Sequence, residues 1–149
     1  MPDFELKPDI ETKDILLKDA RIILHSLNGT EPATAANYGH FYTALRKEEV
    51  IEVSVVWTTA GSDGGAVTLD MERLQGTEAL DAGDTLFAST VNLKGTANTV
   101  NFPTLTATKA NRVLSRGDRL ALKDSGTLTA LVGLQVTVKL KPVGKGNYD

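Results

Sequence analysis

Two histidines, His25 and His40, are the side chains in this 149-residue sequence whose ordinary pKa suits proton transfer near neutral pH. Neither has a second histidine four residues away or a His-Glu-x-x-His frame, so the spacing spells no zinc site. Neither has a nucleophile and an orienting carboxylate at a recognisable distance along the chain, so no catalytic triad is spelled either. With no cysteine at all, disulfides, thiolate metal sites and cysteine nucleophiles are excluded. Asp81 and Asp84 flank a glycine turn, and Asp63 sits among glycines. Calcium needs about six to eight oxygens at set spacings, which are absent, and Asx-type turns account for these aspartates. The loop Gly61-Ser62-Asp63-Gly64-Gly65 has the composition of a phosphate cradle without the Lys-Ser/Thr that completes one. Arg116-Gly117-Asp118 spells an adhesion tripeptide and Asn28-Gly29-Thr30 a glycosylation acceptor, and both read as turns. The expectation is no cofactor, no metal and no enzyme.

What could carry function instead is contact. Tyr38, Phe41 and Tyr42 cluster within five positions. Trp57 falls in phase with Ile51, Val53 and Val55, which assigns it to a core rather than to an exposed sugar platform. The formal net charge is -3, with 16 basic residues scattered singly. Nucleic-acid binding needs clustered Lys and Arg, so no nucleic acid is expected. No stretch approaches the roughly 18 apolar residues of a membrane helix, and the first residues have no basic and apolar regions of a secretory signal. No membrane association is expected, and synthesis is expected in a cytoplasm.

The elements that must position these residues are strands. The chain is 41% hydrophobic, enough for one domain with a sizeable core at this length. Alternation is clear over Ile51–Trp57 and over Val67, Leu69 and Met71. With the glycine-rich loop between them the pair reads as a hairpin whose turn holds a left-handed residue. The longest alternation closes the chain, with Leu128, Ala130, Val132, Leu134, Val136, Val138 and Leu140 on the apolar face of a central strand. Ala20–His25 and Tyr38–Thr43 read as shorter strands, a helix over residues 35–46 competing with the second. Thr85–Ser89 and Thr99–Phe102 are further strands, Pro103 placing the latter at an edge. Short strands at regular turn spacing, with no convincing long helix, point to an all-β domain. The expected fold is a jelly-roll-like antiparallel β-sandwich of about eight strands over residues 19–149.

Residues 1–18 fit neither period. They mix charges and two prolines with Phe4, Leu6, Ile10 and a late Ile-Leu-Leu run. We read them as an extended N-terminal arm, about 60 Å long at roughly 3.3 Å per residue, whose Phe4, Leu6 and Ile10 contact another chain.

A resemblance enters on four blocks: Asn37–Ala44, Thr59–Asp70, Leu93–Val100, and Gly117–Leu122 with Gly126–Leu131. Together they resemble small phage virion proteins of the jelly-roll type, namely capsid decoration or cement proteins, head fibres and tail-fibre heads. Leu45 departs from the pattern, where a proline is expected. The resemblance implies a structural virion protein that binds the outside of a phage capsid and stabilises it, as a homo-oligomer, commonly a trimer. Its partner would be a major capsid protein and its place the capsid surface. Tyr38, Phe41 and Tyr42 would join the arm as contact residues. The alternative implied is a receptor- or glycan-binding head of a phage fibre, which would need a shaft not seen in these residues.

Overall fold

The computed structural model of the protein describes residues 21–27 and 39–144. They form nine strands and one helical turn. The strands are β1 (Arg21–Leu27), β2 (His40–Thr43), β3 (Glu48–Val56), β4 (Thr68–Leu74), β5 (Asp84–Thr85), β6 (Val91–Asn92), β7 (Val113–Leu114), β8 (Arg119–Ser125) and β9 (Leu134–Pro142). The helical turn, α1, is Lys109–Arg112. One sheet has the order β1-β9-β3-β7 and the other β2-β8-β4-β5, with β6 sharing the outer edge of β4. Every pairing is antiparallel. The fold is therefore the expected all-β antiparallel sandwich. The expected arm, residues 1–18, lies outside the described residues.

The closing strand shows why. Along β9 Leu134, Val136, Val138 and Leu140 are buried while Gln135 and Lys139 are exposed, and β1 and β3 bond to its two sides. A strand with one fully apolar face can only be satisfied against a second apolar face. Val53 and Val55 of β3, with Trp57 just beyond it, extend that face, and Leu69, Met71, Leu120 and Leu122 of the other sheet belong to the same buried cluster.

Four expectations need correction. Ile51 is only half-buried and Val50 is buried instead. The pairing of β3 with β9 slips between Val50 and Glu52, so a bulge at Ile51 shifts the inward phase by one residue. The hairpin between β3 and β4 does not exist, because the two strands belong to different sheets. Residues 57–67 arch from one sheet to the other. Gly61 N–H donates to Leu93 O at 3.0 Å and Ser62 N–H to Thr129 O at 2.9 Å, so distant segments hold this arch. None of Gly61, Gly64 and Gly65 has positive φ, and Asp63 caps the loop by accepting the Gly65 N–H at 3.2 Å. Finally, the alternation before Leu134 is broken. Ala130 turns at φ 63°, Leu131 is buried where the pattern pointed it outward, and Val132 is exposed where the pattern pointed it inward. The expected strand at Thr99–Phe102 shrinks to one bridge, Asn101 to Val55.

Of the eight steps from strand to strand, six change sheet. Turns at the strand ends therefore carry strict backbone demands. Gly126, after β8, has φ 87°, and a Cβ there would collide with the Ala66 carbonyl. Gly126→Ala should cost more than about 1 kcal/mol in chemical denaturation, whereas Gly64→Ala, with nothing near the added carbon, should be close to neutral. Val136→Asp buries an unpaired charge in the central strand and should abolish soluble expression. Gln135→Asp, one residue away on the exposed face, should shift stability by no more than about 0.5 kcal/mol.

Candidate functional site

β2 is the edge strand of the second sheet, bonded to β8. Its register slips between His40 and Tyr42, which leaves Phe41 in a bulge and breaks the alternation that a four-residue strand would show. As a result Phe41 and Tyr42 are both half-buried and pack against the core cluster. The Tyr42 hydroxyl donates to Glu48 Oε2, and Arg46 Nε donates to Glu48 Oε1 at 3.0 Å. Glu48 is completely buried, and a carboxylate taken out of water in this way needs such partners. Between them the turn lifts Leu45 into solvent, 69% exposed. The edge thus sets two half-buried aromatic rings beside a projecting leucine.

Of the residues read as contacts in the sequence, Phe41 and Tyr42 come together here. Tyr38, Phe4, Leu6 and Ile10 lie outside the described residues. His40 is exposed on the same strand, and no His, Asp and Glu cluster suited to a metal ion occurs among the described residues. Leu45 escaped the pattern reading because a lone apolar residue in a turn belongs to no period. Val100 and Phe102, expected in a strand, are 51% and 66% exposed instead, because that segment is held only by the Asn101 bridge.

Two buried carboxylates on β4 look at first like site chemistry. Asp70 and Glu72 occupy the outward face of β4, opposite Leu69 and Met71, yet the chain folds back over them. Glu72 is fully buried and accepts the N–H groups of Asp81, at 2.7 Å, and Gly83, at 3.0 Å. Arg119 holds the same loop by donating to the Gly76 and Glu78 carbonyls, both at 3.0 Å. Arg73 bonds Asp84 at 2.5 Å and the Ala110 and Val113 carbonyls at 2.7 and 2.9 Å. Asp70 Oδ1 accepts the Met71 N–H at 2.7 Å and the Phe87 N–H at 3.4 Å. Burial pushes the Asp70 carboxyl above its ordinary range, against the pull of those two donors. Lys123, paired with Asp81, is held above its usual value by that hydrogen bond. On the first sheet Glu49 gathers Lys141, Arg112 and Lys109 at 3.5, 3.7 and 3.9 Å, which ties α1 to β3. These charges build loops.

Comparisons with known proteins add little. No family model matches the chain, and no curated protein matches it. Among solved structures it is similar to that of the infectious bursal disease virus Gx strain, with a TM-score of 0.41 and 12% identity, covering 85% of this chain and 33% of that chain. The chain thus spans about a third of that viral chain's length. A likeness at this level transfers no function. No helix among the described residues is long and apolar enough to cross a membrane.

The two β4 carboxylates should respond differently to loss of charge. Glu72→Gln puts an amide donor against one of two backbone donors and should cost about 1–3 kcal/mol. Asp70→Asn keeps its accepting oxygen. The native Asp70 carboxyl binds its proton more tightly than the unfolded chain does, so this group adds stability as pH falls and subtracts it at neutral pH. At pH 7 the Asp70→Asn protein should melt at or above the parent temperature. The difference should close as pH falls through the carboxylate range, as followed by thermal melts.

Proposed function

We propose that the chain is a jelly-roll binding module of a virus particle, a non-enzymatic protein that attaches to the outside of a phage capsid and stabilises it. The observation that carries this reading is the strand order. With the two-residue β6 set aside, the orders first-ninth-third-seventh and second-eighth-fourth-fifth match those that two nested Greek keys would give, which supports the jelly-roll reading. Jelly rolls serve as viral capsid and lectin domains among other uses, so the step from fold to role is analogy. The resemblance of Asn37–Ala44 and the later blocks to phage decoration proteins narrows that analogy.

In this reading the arm's Phe4, Leu6 and Ile10 enter pockets on a major capsid protein or a sister subunit, while the β2 edge with Phe41, Tyr42 and Leu45 faces the same neighbour. A protein that binds the assembled lattice and not its free subunits stabilises the lattice by mass action, by about 2.7 kcal/mol at 100 times its Kd. A homotrimer multiplies attachment through effective concentration.

Deleting residues 1–18 should leave the β-sheet circular dichroism and melting temperature unchanged and abolish co-sedimentation with capsids from the phage that encodes the chain. Retained co-sedimentation would show the arm to be passive, and failure of the full chain to co-sediment would refute capsid attachment. Immunogold labelling of the same particles should decorate the shell. Label confined to fibre tips would favour the fibre-head alternative.

A further inference from the structure

The side of the sandwich away from β2 carries a cleft of about 320 Å³ lined by Ser89, Thr90, Val91, Asn92, Gly95, Asn101, Phe102 and Pro103. That is the small end of the range for ligand clefts, which run from about 300 to 1,000 Å³. One wall belongs to β6, paired with Thr68 and Leu69 of β4. The other is the segment through Asn101, which exchanges two 2.8 Å hydrogen bonds with Val55 of the other sheet. The cleft therefore lies where the edges of the two sheets meet.

Its chemistry is specific. No titratable side chain lines it. Among the described residues, Asn101 spends its Nδ2 on the Thr99 carbonyl at 3.1 Å and keeps its Oδ1, while Asn92 spends its Oδ1 on the Lys94 N–H at 3.0 Å and keeps its Nδ2. Among the described residues no hydrogen bond claims the hydroxyls of Ser89 or Thr90. Beside these uncommitted groups stands Phe102, 66% exposed. A flat aromatic face with uncharged donors and acceptors around it matches a pyranose, whose C–H face packs on the negative face of a ring while its hydroxyls find amides and hydroxyls.

The cleft is also held in place without a ligand. Trp57 Nε1–H donates to the Gly95 carbonyl at 3.3 Å, and a Cβ on Gly95 would sit 3.4 Å from the Trp57 ring. Asn98 N–H donates to Trp57 O at 2.8 Å, which ties the loop beside the cleft to the core, and Ala88 N–H donates to Thr104 O at 2.8 Å, which ties the two walls to each other. Walls fixed beforehand reduce the ordering cost of binding.

We infer that this cleft binds a neutral saccharide, with Phe102 as the stacking platform and Ser89, Thr90, Asn92 and Asn101 as hydrogen-bonding partners. The inference rests on the cleft alone and does not depend on capsid attachment. The test is saturation-transfer NMR on the full chain with a panel of glucose, galactose, mannose, N-acetylglucosamine, maltose and lactose. At least one sugar should receive saturation, with an affinity unchanged from low salt to about 0.5 M because no charge takes part. Phe102→Ala and the double change Ser89→Ala with Thr90→Val should each weaken it at least about tenfold. Both alter exposed side chains, so melting temperature should hold. Gln135→Ala, at an exposed residue of β9 that does not line the cleft, should have no effect. Absence of transfer to all six sugars at millimolar concentration, or transfer that survives Phe102→Ala, would overturn the assignment. So would a sedimentation coefficient that falls on Phe102→Ala in the absence of sugar, because the surface would then be a contact between copies.

Discussion

The rest of this structure depends on β9 having neighbours on both sides and an apolar layer beneath it. With β1 and β3 bonded to its edges, Leu134, Val136, Val138 and Leu140 can be satisfied only by the opposite sheet. Fully burying each such side chain contributes about 1.5–3 kcal/mol relative to exposure. The other sheet must then present Leu69, Met71, Leu120 and Leu122 at matching depth, and the chain must cross repeatedly between layers. The arches at the sandwich ends, and the hydrogen bonds that pin them, follow from that crossing.

Facing was legible in the sequence because a strand's side chains alternate with a period of two whatever lies beside it. Val53, Val55, Trp57, Val67, Leu69 and Met71 were all read as core, and all are buried. Pairing was not legible. The same alternation is written by two strands of a hairpin and by two strands in opposite sheets, and a glycine-rich loop between them suits both. What decides is a set of long-range bonds, Gly61 to Leu93 and Ser62 to Thr129, that no local pattern encodes. The bulge at Ile51 and the turn at Ala130 are similar in kind, since each adds or removes one residue of phase inside a run that reads as continuous. That Phe41 and Tyr42 fall on one short strand was legible, because clustered aromatics within an apolar run stand out. The exposure of Phe102 was not, since it arises from where a bridge to Val55 holds the chain.

The buried acids illustrate a different limit. Asp70 and Glu72 alternate with Leu69 and Met71 as solvent-facing residues should, and the alternation itself is right. They are buried because the segment after β4 returns over them, drawn by N–H groups of Asp81, Gly83 and Phe87. A carboxylate that accepts backbone donors organises a loop as a helix cap organises a first turn. Buried acids in a sandwich of this kind therefore need their acceptor inventory examined before any chemistry is assigned to them.

The outer side of β4 is covered by two separate strands of two residues each, and β7, at the end of the first sheet, is equally short. A long flat edge is a template on which another chain can add itself indefinitely, and very short edge strands are one way natural sheets prevent it. On this flank the ladder is interrupted in both layers, so neither sheet presents there the long flat edge on which fibrils grow.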